Sequence, residues 1–238
     1  AKKLLSGSGA SADRINVEDV FNTHMYLGTG SSQNKTNYID LLNEGGLVWF
    51  KRRNGDHEHG LYDTARGTGK RLSTNNTSAQ ETDSNGLSAF RDTGFTVVSA
   101  DDCNGNSDTY ASWAFRKAPK FFDIVTYTGN GASSHSIAHN LECMPGFIVI
   151  KRRDSGGGWH AIARYGDDNY LGGGSTNSFG FDNTAIANNG VSPSNRGITT
   201  THFDVAKTYG GVGSFDVSKT NTNNATYVAY LWAHNDDD

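Results

Sequence analysis

Long hydrophobic runs are missing from this sequence. Tyrosine aside, no apolar stretch exceeds the four residues of Leu47–Phe50 and Phe147–Ile150, whereas a membrane-spanning helix needs about 20. The opening Ala1-Lys2-Lys3-Leu4-Leu5-Ser6-Gly7 has only two consecutive large apolar residues, too few for a signal-peptide core. Neither a targeting segment nor membrane insertion is expected. Cysteine is as sparse: Cys103 and Cys143 are the only two. They make no disulfide framework, and assembly in a reducing cytoplasm is expected. Basic charge is also short. Lys and Arg number 21 against 25 acidic residues, a net charge of −4, which gives no general attraction to nucleic acid or acidic membranes. Charged residues stop at 19%, below the composition that keeps a chain disordered. The chain should fold.

Glycine is abundant, 29 of 238 residues, while hydrophobic residues reach 35%. That balance fits many short strands joined by polar turns. An internal repeat organises them. Gly46-Leu47-Val48-Trp49-Phe50-Lys51-Arg52-Arg53 aligns with Gly146-Phe147-Ile148-Val149-Ile150-Lys151-Arg152-Arg153 at an offset of 100. Further on, Tyr110-Ala111-Ser112-Trp113-Ala114-Phe115 resembles Tyr227-Val228-Ala229-Tyr230-Leu231-Trp232 at an offset of 117. The second copy is therefore longer by the difference, 17 residues (117 less 100), placed around Leu171–Ser175 and Asn188–Gly197. His59 and Arg66 have rough counterparts in His160 and Arg164.

Aromatic and β-branched runs at Phe95–Val98, Phe122–Thr128 and Tyr227–Trp232 predict strands. Asn-Gly pairs at 54–55, 85–86, 104–105, 130–131 and 189–190 supply turns. Helix is scarce, its best candidate being Val17–Phe21 behind Asn16. The expected fold is all-β: two tandem, related β-sandwich modules of jelly-roll type, residues 44–118 and 119–238. An extended arm, residues 1–43, precedes them.

No catalytic signature emerges, and no enzyme, cofactor or metal is expected. Gly67-Thr68-Gly69-Lys70-Arg71 lacks the first glycine of a phosphate loop. His57-Glu58-His59 lacks a nearby third zinc ligand. Asp101–Asp108 is rich in oxygen but puts Trp113 where an EF-hand needs its bidentate Glu. Asp63, Asp123 and Asp204 sit beside apolar residues as candidate buried acids, each more simply read as closing a turn or meeting an Arg. The Lys-Arg-Arg triplets offer a solvated, aggregation-resistant strand end or an anchor for an acidic partner. Trp49, Trp113 and Trp232 fall within the repeated strands and are assigned to the core. Trp159, after Gly156-Gly157-Gly158, is assigned to a loop and, with His160, is the candidate contact for a glycan.

The paired Gly-Leu-Val-Trp-Phe-Lys and Pro145–Arg152 motifs resemble a domain of virion proteins from tailed bacteriophages, notably marine ones. So do Ser112–Gly129, Ile137–Leu141 ahead of Pro145, and Ala1–Tyr26. The resemblance implies a virion structural protein on the outer part of the particle, assembled in the host cytoplasm. It would be a tail-fibre or appendage subunit, or else a capsid decoration protein, and relatives often continue into further modules. Implied partners are other virion proteins, further copies of the chain (trimers being common) and host-surface glycan. The implied assembly contacts in the arm are Val17, Val20, Phe21 and Tyr26.

Overall fold

The computed structural model describes residues 15–165, 169–172, 197–205 and 217–234. Most of the insertion expected around Leu171–Ser175 and Asn188–Gly197, including the Asn189-Gly190 turn, lies outside the described residues. The first part of the chain carries α1 (Val17–Val20), β1 (Phe21–Leu27), β2 (Gln33–Thr36), β3 (Gly46–Arg52), β4 (Gly60–Asp63), β5 (Lys70–Arg71), β6 (Glu81–Thr82), β7 (Leu87–Arg91), β8 (Gly94–Val97) and β9 (Thr109–Arg116). The second carries β10 (Phe122–Thr128), β11 (Ser136–Ala138), β12 (Pro145–Arg152), β13 (Trp159–Tyr165), β14 (Asn169–Gly172), β15 (His202–Asp204), α2 (Val217–Thr220) and β16 (Thr226–Ala233). Among the described residues the protein is all-β apart from two one-turn helices, and neither of these is long enough to cross a membrane.

Two large antiparallel sheets dominate, with strand orders β1-β9-β3-β4 and β10-β16-β12-β13-β14. Smaller sheets, β2-β8-β7 and β11-β15, accompany them. Side chains alternate across a strand, and in the large sheets both faces are covered. From β3, Val48 and Phe50 enter a core with Leu87, Phe95 and Val97 of the small sheet. Leu47 enters a different core from the opposite face. In β12, Ile148 and Ile150 face Ile137 and Phe203, whereas Val149 faces the other way. Burial on both faces explains why Leu47–Phe50 and Phe147–Ile150 are continuous apolar runs rather than alternating ones.

The middle core is shared. Leu47, Leu61 and Leu72 of the first half pack there with Phe122, Val149, Trp159, Val228 and Tyr230 of the second. Polar groups cross the same boundary. Arg66, its side chain wholly buried, pairs with Asp63 at 2.5 Å, and Tyr230 Oη donates to the same carboxylate at 2.7 Å. Trp159 Nε1 donates to Ser73 O at 3.0 Å, and Lys151 Nζ donates to Thr77 O at 3.1 Å. The expectation that residues 44–118 and 119–238 each close their own interior is corrected on this point. Each half covers one face of its large sheet by itself and needs the other half for the second face.

The expected arm over residues 1–43 is corrected as well. Across the described residues 15–43, β1 pairs with β9 along its whole length and β2 pairs with β8. Val20, Ile39 and Leu41 are fully buried. The segment shows no sustained apolar period because β1 is an edge strand with only one row turned inward. The following Gly28–Ser32 is a tight polar loop. The helix is also shorter than expected: α1 ends at Val20 and the chain runs straight into β1.

Polar clasps recur at equivalent places. Asn104 is fully buried; it accepts from Thr29 N at 3.0 Å and donates to Ser31 O at 2.7 Å. Asn221, 117 positions on, accepts from Asn130 N at 3.0 Å and donates to Ala132 O at 2.9 Å. Tyr26 Oη donates to Cys103 O at 2.6 Å, as Tyr127 Oη does to Thr220 O at 2.7 Å. A Cβ on Gly28 would stand 2.1 Å from Gly105 O, and one on Gly129 2.2 Å from Thr222 O. Only glycine fits either loop. Phe21–Gly30 thus corresponds to Phe122–Gly131, and the repeat begins at β1.

Candidate interaction surface

The sequence-level candidates scatter. Trp159 opens β13 instead of lying in a loop, and it is 1% exposed. His160 is buried beside it, opposite Ile150. Neither ring face is open to a sugar, so the glycan contact expected at Trp159 and His160 is withdrawn. The reason is register. Lys151 faces Trp159, and the strand carries the indole into the shared middle core. The counterpart of His160 in β4 is Gly60, opposite Phe50, so His59 corresponds to Trp159.

The four assembly residues separate too. Val20 is fully buried, and Tyr26 spends its hydroxyl on Cys103 while its ring stacks on Tyr110 at 5.4 Å. Both belong to the chain's own core, which corrects their assignment as partner contacts. Phe21 lies 4.8 Å from the Phe115 ring. Val17 is 66% exposed, at a cleft lined by Ile15, Phe121, Cys143 and Trp232.

The Lys and the first Arg of each basic triplet are engaged within the chain. Lys51 Nζ donates to His57 O at 2.8 Å, and Arg52 pairs with Asp108 at 2.6 Å. Lys151 is fully buried, and Arg152 pairs with Asp154 at 2.9 Å. These contacts replace the solvated strand end expected for the Lys. The three candidate acids are buried with separate partners. Asp63 holds Arg66, Asp123 holds Lys117 at 3.0 Å, and Asp204 accepts from His135 N at 3.1 Å.

A different surface stands out. On β1 the odd-numbered row is exposed from Thr23 on, with Met25 at 64% and Leu27 at 58%. In the same row across the sheet, Thr23 faces Trp113 and Trp113 faces Trp49. Both indoles are half-buried, their ring centres 5.7 Å apart. Trp49 Nε1 donates to His59 Nδ1 at 3.1 Å. Since an indole N–H only donates, His59 carries its proton on Nε2. Burial and then Lys51 hold His59 below its ordinary pKa, so it is neutral near pH 7. In the second half the matching positions are Tyr230, Val149 and Trp159, all buried, and β10 places exposed Thr126 and Thr128 where β1 has Met25 and Leu27.

Sequence reasoning passed over Met25 and Leu27. The available signal was the alignment of Phe21–Leu27 with Phe122–Thr128, which sets methionine and leucine against threonines. No curated protein and no solved structure matches the chain. The profile of a domain of unknown function, DUF7483, matches residues 16–236 and so takes in β1 and β2 with everything after them. The chain belongs to the DUF7483 family.

Proposed function

We propose that this chain is a non-enzymatic structural subunit of a tailed-bacteriophage particle, most simply a tail fibre or appendage component held by other virion proteins. The sequence motifs described above carry the phage assignment. The structural observation that supports a building role is the shared middle core. Buried pairs such as Tyr230 with Asp63 lock two repeats into one body, and the first half keeps an apolar row, Met25 and Leu27, on its outside. Large exposed apolar side chains grouped along one edge mark a contact surface. A rigid body carrying such a surface suits a passive subunit.

Purified particles of the source phage test this by antibody labelling under the electron microscope. Label on the tail or its appendages is expected. Label on the head would move the reading to capsid decoration, and particles without the protein would end it.

A further inference from the structure

We propose that β1 pairs antiparallel with β1 of a second copy of this chain, joining two four-stranded sheets across a two-fold axis. The inference does not rest on the phage reading and concerns β1 alone.

Main-chain direction comes first. Gly28 N donates to Asp108 O at 2.7 Å, and Arg53 N donates to Thr109 O at 2.7 Å. In an antiparallel ladder, successive residues bond to opposite sides. The even-numbered residues of β1 therefore bond to β9. Phe21, Thr23, Met25 and Leu27 turn their N–H and C=O groups to the open edge. Two of these groups are already satisfied: Phe21 N–H donates to Val17 O, and Leu27 O accepts from Gln33 Nε2 at 3.2 Å. Left over are Phe21 C=O, both groups of Thr23, both of Met25, and Leu27 N–H.

A pairing centred on His24 uses this remainder completely. It sets Thr23 against Met25 of the second copy, and Phe21 against Leu27. Each Thr23–Met25 pair exchanges two hydrogen bonds, and each Leu27 N–H donates to one Phe21 C=O. The two groups it leaves idle are the two already bonded within the chain. The strand is matched to itself.

Charge and side chains agree. β1 contains no Lys, Arg, Asp, Glu or Pro and no bulge, so it lacks the usual defences of an edge. His24 is held below its ordinary pKa by burial and then by Lys35, so the two imidazoles opposed on the axis add no pair of like charges near pH 7. The pairing would also set Met25 beside Thr23 and Leu27 beside Phe21 of the second copy on one sheet face.

The outer edges of β10 and β4 differ in part. In β10, Gly129 N donates to Ala225 O, so the even-numbered residues face outward. There Phe122 exchanges both its groups with Ala118, and Asp123 Oδ1 accepts from Ile124 N at 2.8 Å. On β4, Leu61 exchanges both its groups with Leu72. Among the described residues, the start of the β10 edge and Leu61 of β4 are thus engaged from within the chain, whereas the middle of β1 is open.

Sedimentation equilibrium of the full chain should give twice the 25.6 kDa chain mass. Thr23→Pro removes one outward donor per copy at an edge position where proline is tolerated, and should raise the dissociation constant about tenfold or more. Its circular dichroism should stay that of the parent. In a Cys143→Ser background, His24→Cys should form a disulfide-linked dimer on oxidation, because residues opposed across the axis approach to about 4.5 Å between Cα atoms. Asn22→Cys, which would face Tyr26, should not. A chain that stays monomeric, a three-copy mass, or a dimer indifferent to Thr23→Pro without the His24→Cys cross-link overturns the pairing. Should Thr23→Pro misfold, the cross-link decides alone. None of these outcomes bears on where the protein sits on a particle.

Discussion

β1 and β10 hold the same place in two related sheets and present different chemistry. Both start with Phe, place a Tyr five residues on and run into a Gly-x-Gly loop pinned by a buried Asn. Their outward rows then diverge, Met25 and Leu27 against Thr126 and Thr128. Their edges diverge in part too, since Ala118 and Asp123 occupy the outward groups of Phe122 and the Ile124 N–H at the start of β10, while those of Thr23 and Met25 stay open. The interior demands of a strand come from its neighbours in the fold, and at the end of both strands the inward Tyr is kept because its hydroxyl closes the same loop. Outward positions answer to whatever the molecule meets. The middle core repeats the lesson: Trp113 and Trp49 sit half-exposed where Tyr230 and Val149 are buried, because the first half presents a margin there.

The comparison breaks most visibly at the buried pair that joins the halves. Arg66→Ala leaves the Asp63 carboxylate buried with its cation gone, and should cost about 3–5 kcal/mol. Calorimetry should show one transition moved down as a whole. Two transitions, with only the first half destabilised, would mean the halves are less dependent on each other than their shared core requires.

A smaller effect tests whether the clasps are equivalent. Asn104→Ala and Asn221→Ala each orphan several loop groups, and each should cost about 1–3 kcal/mol by urea denaturation. Closely similar losses are expected, and a large inequality would set the two loops apart.

The smallest effect sharpens a feature of the first half. Asp102 is fully buried, with Tyr62 Oη donating to Oδ2 at 3.0 Å and Arg71 no nearer than 4.0 Å to Oδ1, which makes no hydrogen bond. Burial raises its carboxyl pKa above the ordinary value. A raised carboxyl contributes stability that is fully present below the unfolded pKa of about 3.9 and is lost as pH rises through the folded value. Relative to the parent, Asp102→Asn should therefore fare better at pH 7 than at pH 4. Denaturation at the two pH values checks the sign, and the reverse order would show that the carboxylate is compensated.

Much of the fold was legible. Aromatic and β-branched runs at 122–128 and 227–232 became β10 and β16, and the aligned Gly46 and Gly146 runs became β3 and β12, flanked alike by β9 and β16. The arm was misread because an edge strand carries half the apolar signal of a central one, and Ser, Gly and Asn in the following loop dilute it further. Trp159 was misread because glycines before it look like a loop. The same glycines serve a chain that enters a strand and buries its first residue. At the candidate surface nothing in Met25 or Leu27 alone announces exposure, since both would suit a core.

From the sequence alone came the all-β class, the repeated strands and the continuous apolar runs that require cover on both faces. Those are local properties, written in residue type and spacing. Tertiary packing alone decided which half covers which face, that Trp159 lies inside while Trp113 lies at a margin, and that the middle of β1 is left open at an edge. Alternation along a strand separates two faces but does not say what lies against either. That depends on residues such as Asp63 and Tyr230, 167 positions apart in the chain, meeting in space.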